Sequence, residues 1–198
     1  MVTCIVPIVE GHGEVQAVPI LIRRIAADLG HGFAVRIERL IRTPRSKLVR
    51  PGDLERAVEL AARRAGTDGG VLVLIDSDGE PPCILGPTLL QRAQGVRPAM
   101  PLGLVLAHRE YEAWFLAAIE SLRGFYGLPA DLQPPPDPEG MRGAKEWLMR
   151  HMPKGVTYSE TQDQPAFTAQ FDLGVARRAG SFDKCYREIV KLLADLPQ

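Results

Sequence analysis

Apolar residues fall in short, nearly unbroken runs through the first 107 positions, separated by segments of helical period. "VTCIVPIV" (2–9), "VLVLI" (71–75) and "LGLVLA" (102–107) are strand-sized and apolar on both faces. That is the pattern of strands buried inside a parallel sheet. "FAVRIERLI" (33–41) alternates and reads as a further strand. Pro7 lacks a ladder donor and is expected at a strand edge or end. Between the strands, Val18, Leu21, Ile22, Ile25 and Leu29 recur at helical spacing. With Pro19 confined to a first turn, that helix is predicted to start near Val15–Val18 and stop at Gly30. Asp53 is a candidate N-cap for a helix through Arg64, and "PTLLQRAQ" reads as a short helix. "REYEAWFLAAIESLRGFYG" and "SFDKCYREIVKLLADL" both look helical, the latter with Ser181 as N-cap.

Strands alternating with helices give an α/β fold with a mostly parallel sheet of four strands or slightly more, covered on both faces. This order covers residues 1–125 and defines the expected core. "LPADLQPPPDPEG" (128–140) has five prolines and interrupts it. Residues 126–198 are therefore expected to form a Pro-rich excursion and a helical extension packed on the core, too short for a second core of their own.

Composition narrows the function classes. Lys+Arg and Asp+Glu balance at 24 each, so no global basic field advertises nucleic acid, and any such contact must be local. No apolar run approaches the roughly 20 residues of a bilayer span, and no signal-like leader opens the chain, which points to a cytoplasmic protein without membrane contact. Cys4, Cys83 and Cys185 form no CxxC pair and read as reduced thiols. His31, His108 and His151 have no ligand-type partner at i,i+4, which leaves zinc without support.

The chemistry concentrates at the predicted strand ends. Glu10 closes the first strand, Asp76 and Asp78 follow "VLVLI", and His108, Glu110 and Glu112 follow "LGLVLA". Ligands of open parallel sheets collect at this rim. Converging carboxylates repel one another unless a cation sits among them, and hard oxygen donors suit Mg²⁺ or Mn²⁺. Any one of these acids alone is better read as a solvated loop residue. A glycine-loop reading of "GHGEVQ" is weaker, because Gln16 replaces the third glycine and Glu10 and Glu14 would face a pyrophosphate. "DSDG" is not an EF-hand, since Pro87 stands where a bidentate Glu is needed. The DxD of a nucleotide-sugar transferase and that of an aspartyl phosphatase stay open, but neither accounts for Glu10. No P-loop motif occurs.

"VEGHGE" with "LIDSDG" resembles the TOPRIM domain, the Rossmann-like catalytic fold of type II topoisomerases, bacterial primases, recombination-mediator proteins and overcoming-lysogenization-defect nucleases. The ordered set of Glu10-Gly11 with Glu14, Asp76 with Asp78, "EAWFLA" (112–117), Tyr158 with Thr161, and "SFD" (181–183) is similar to a domain-of-unknown-function family of small bacterial TOPRIM-like proteins. The resemblance implies a metal-dependent nuclease or phosphotransferase acting on DNA or RNA. Asp76 and Asp78 would bind Mg²⁺ or Mn²⁺, Glu10 would serve as ligand or general acid–base, and Glu14 would support a second metal. A separate ATPase partner would supply any motor. The alternative on the same fold is a non-catalytic regulatory subunit that binds nucleic acid or a partner.

Further candidates surround that set. Arg42, Arg45, Lys47 and Arg50 form an acid-free basic stretch suited to phosphates or to plain solvation, and Lys154 is a weaker contact candidate. His12 lies between the two glycines beside the proposed site, and Glu112 is a secondary acidic candidate. Trp114 and Phe115 read as core rather than as base-stacking residues.

Overall fold

A computed structural model describes residues 4–30 and 35–196. The strands are β1 (Cys4–Val9), β2 (Arg36–Ile37), β3 (Ile41–Arg42), β4 (Gly69–Asp76) and β5 (Leu102–Ala107). All pairings are parallel, in the order β2–β1–β4–β5, with β3 sharing β2's side of β1. Helices α1 (Glu14–Asp28), α2 (Arg45–Leu48), α3 (Asp53–Ala65), α4 (Pro82–Val96) and α5 (Ala113–Ala117) follow their strands in chain order. α6 (Ala144–His151), α7 (Asp163–Gln170), α8 (Leu173–Ala176) and α9 (Gly180–Asp195) complete the chain. The result is a Rossmann-like α/β layer structure.

Strand alternation sorts the core. Ile5, Val9, Leu72, Leu74 and Val105 face α1 and the aromatic residues of the C-terminal helices. Val6, Ile8, Val71, Val73 and Leu104 face α3 and α4. The first cluster is continuous from Ile5 through Trp114 and Phe167 to Leu196, so the late helices share the core of the early strands.

Several local expectations are corrected. Pro7 lies in an interior strand, not at an edge. The Ile5 and Val9 carbonyls accept from Glu38 N and Thr43 N, so by alternation the Pro7 nitrogen faces the same side. There a one-residue bulge separates β2 from β3, and no ladder donor is needed. The same bulge divides the strand predicted over 33–41, whose positions 33 and 34 lie outside the described residues. α1 begins at Glu14, which places Pro19 inside the helix. Gly52 (φ 86°) precedes α3 in the N-cap role given to Asp53, with the Glu55 carboxylate accepting from its N–H at 2.7 Å. α4 is longer than the predicted "PTLLQRAQ" segment.

The long helix expected over 109–127 stops after α5 and continues in 3₁₀ turns at Ile119–Leu122 and Phe125–Gly127. The Arg178 guanidinium captures the Ala117 carbonyl, and Ser121 N turns instead to Ala118 O at 2.9 Å. Ser181 does not cap α9, which starts at Gly180 after Ala179. Its hydroxyl accepts from Trp114 Nε1 at 2.8 Å and from His108 N at 3.1 Å.

Candidate functional site: carboxylates at the switch point

After β1 the chain moves to one side through β2 and β3, then crosses to β4 on the other side. The sheet therefore reverses direction between β1 and β4, where parallel sheets open a crevice at their carboxyl ends. Glu10 leaves β1 at this point, and Asp76 is the last residue of β4. The Glu10 carboxylate accepts from Asp76 N at 3.2 Å, joining residues 66 apart in sequence.

Glu14 opens α1 and folds back over the turn. Its Oε2 accepts from Glu10 N at 3.1 Å and Gly11 N at 2.5 Å, which fixes the exit of β1. Glu112 comes from the β5 side and is fully buried, with Tyr158 Oη and Gln164 Nε2 donating to its Oε1 at 3.1 and 3.3 Å. Two buried carboxylate oxygens, Asp76 Oδ1 and Glu112 Oε2, and the Gln164 amide oxygen have no hydrogen-bond partner among the described residues.

Burial and mutual repulsion shift these acids. Desolvation, with Glu10 and Glu112 nearby, pushes the Glu14 carboxyl up to about 7. Burial likewise raises Glu112 to about 7, and it raises Asp76 well above the ordinary range with help from Glu14, Glu112 and Glu10. Glu10 is raised by its own burial. Lys145 of α6 offsets part of this charge. Burial alone would pull its ammonium down, but Glu112, Glu160 and Asp76 more than compensate and hold it above the usual lysine range. Its Nζ pairs with Glu160 at 2.6 Å.

The family model described as Domain of unknown function (DUF4276) matches residues 9–189, a span that takes in Glu10, Asp76, Glu112 and Lys145. The chain belongs to this family. No curated protein and no solved structure matches it.

In this DUF4276 chain the remaining sequence candidates are placed differently. Asp78 is an exposed residue at φ 52°, with Arg45 Nη1 3.4 Å from its carboxylate. Arg45 braces the turn after β4, donating to the Asp76 and Ser77 carbonyls at 2.9 and 3.1 Å and to Glu80 at 2.5 Å. Its guanidinium is thus engaged within the protein. Arg42, Lys47, Arg50 and Lys154 are exposed, and so is His12 on the turn beside Glu10.

Lys145, Arg109 and Arg142 were not singled out by the sequence reading. Arg109 is held at φ 65°, its N–H donating to Ser77 Oγ at 2.9 Å and its carbonyl accepting from Asp78 N at 3.2 Å. These bonds lace the β4 and β5 loops together. Its buried Nε has no partner among the described residues. With Arg142 it lines a cavity of about 220 Å³ beside Asp78 and Glu110. The Glu110 carboxylate is occupied by Gly143 N and Lys145 N at 3.0 and 3.3 Å, which seats the start of α6 at the rim. No local pattern in the sequence marks Lys145, because its relation to Glu112 is made only by folding.

Proposed function

We propose that this protein is a divalent-metal-dependent nuclease or phosphotransferase of TOPRIM type, acting on nucleic-acid phosphodiesters with Mg²⁺ or Mn²⁺. The observation that carries the reading is Glu10 meeting Asp76 across the switch point, with buried Asp76 Oδ1 unpartnered beside Glu14 and Glu112.

Among the described residues, no three His, Cys, Asp or Glu side chains surround one point ready to hold a metal. The donor set still suits Mg²⁺, which keeps several waters and takes one or two carboxylates together with substrate phosphates. Asp76 and Glu10 would be those carboxylates, with Asp78 close by on the same turn. A bound ion would polarise the phosphate and lower the pKa of an attacking water. Glu14 orients Glu10 by holding the backbone of the turn, and Lys145 limits the repulsion among the acids. Arg109 and Arg142 supply guanidinium donors at the mouth, where a phosphate would arrive.

That no three donors converge on one point among the described residues favours a second reading, a non-catalytic subunit that binds nucleic acid or a partner. Incubating labelled DNA and RNA with the intact chain in Mg²⁺ or Mn²⁺, beside Asp76→Ala, decides between them. Metal-dependent cleavage that disappears in the variant supports the enzyme. No cleavage, or cleavage that the substitution leaves unchanged, overturns it.

A further inference from the structure

A groove of about 460 Å³ runs between α1 and the β2–β3 edge, lined by His12, Arg23, Arg39 and Arg42 with apolar rungs that include Pro19 and Leu40. All three arginines are exposed. Several arginines elsewhere are paired with acids, among them Arg92 with Glu55, Arg97 with Glu59, Arg178 with Glu120 and Arg177 with Asp183. Arg24, Arg64 and Arg123 bond backbone carbonyls. The acid in the groove, Glu38, is itself occupied, its carboxylate 3.2 Å from Arg36 and accepting from Arg39 N at 3.1 Å. Among the described residues, the side chains of Arg23, Arg39 and Arg42 make no ion pair. Three uncompensated guanidiniums in one groove of a neutral chain form a local positive field.

We infer that this groove binds a single polynucleotide strand and leads it to the carboxylates. The substrate class it names rests on the nuclease reading. The groove's volume lies within the small-molecule range of about 300–1,000 Å³, the scale of a nucleotide rather than of a duplex. Guanidiniums track the phosphates while apolar surface meets the bases, the division of labour of single-strand binders. His12, which also lines the groove, is two residues from Glu10 in the chain, so the groove adjoins the turn that carries the switch-point carboxylate.

The test is fluorescence anisotropy of labelled single-stranded DNA and RNA of about a dozen nucleotides, within the site sizes known for such grooves. It is run in EDTA, so that binding is read without cleavage. The intact chain is compared with Arg23→Glu/Arg39→Glu/Arg42→Glu and with the corresponding triple Gln variant, each checked for native circular dichroism. Loss of three phosphate contacts should weaken binding at least about tenfold. It should also flatten the log–log salt slope by about 2, at about 0.7 per contact on a single strand. Binding in EDTA and metal-dependent cleavage are separate readouts: strand binding lost in the triple variants but kept when no cleavage is found would sustain this inference without the catalytic one. No strand binding by the parent, binding by both triple variants as tight as the parent's, or equal competition by duplex or poly-glutamate would overturn it. The DNA and RNA arms identify which polynucleotide is preferred.

Discussion

Glu14 has two opposed duties. Its Oε2 accepts two backbone N–H groups that hold the turn after β1, while burial beside Glu10 and Glu112 raises its pKa to about 7. The folded state therefore binds more protons than the unfolded chain between about pH 4.5 and 7, and stability falls as pH rises through that window. Glu112 acts in the same direction over the same window. In metal-free buffer the melting temperature should be higher near pH 5 than near pH 8. Glu14→Gln keeps an acceptor oxygen for both N–H groups and cannot ionise. It should gain on the order of 1–3 kcal/mol at about pH 8 and little at about pH 5, measured by chemical denaturation. A variant equally destabilised at both values would show that hydrogen bonding outweighs charge. At this scale the sequence was informative where chemistry and strand position coincide, as at Glu10 and Asp76. It misassigned Ser181, whose predicted capping role gives way to a buried bond with Trp114 Nε1. Ser181→Ala removes that acceptor and should cost about 1–3 kcal/mol.

The turn between β1 and α1 shows what one element owes to another. Gly13 has ordinary right-handed backbone angles (φ −67°), so conformational freedom is not its reason to be glycine. A Cβ there would collide with the Glu160 backbone and the Gln164 side chain. The segment before α7 packs against the start of α1 at this spot, and Gln164 continues from it to Glu112. Gly13→Ala should therefore destabilise by about 1–3 kcal/mol and loosen the Glu112 environment, read as a lower melting temperature and weaker hydrogen-exchange protection around 158–164. Strand positions were legible because β1, β4 and β5 are buried on both faces and leave apolar runs. Helix ends were less so. The break after α5 depends on Arg178 reaching back 61 residues to the Ala117 carbonyl, which no local pattern encodes.

In the whole molecule, the early strands supply the acids while the late segments close the site. Lys145, Tyr158 and Gln164 reach Glu112 from beyond the Pro-rich stretch, and Phe167, Phe171 and Phe182 complete the core around Trp114 and Phe115. A fragment ending at residue 125 should expose this aromatic cluster and fail to give a cooperative unfolding transition by circular dichroism. The sheet and the Glu10–Asp76 half of the site were readable from local runs and motifs; the Lys145–Glu112–Tyr158 half was not, because only tertiary packing assembles it. What unites both halves is the claim that these carboxyls form a divalent-cation site. Calorimetric titration with Mn²⁺ at about pH 6.5, near the raised carboxyl values, tests it directly. We predict saturable binding with proton release, weakened about tenfold or more in Asp76→Asn. Absence of binding, or binding that the substitution leaves unchanged, would contradict the account.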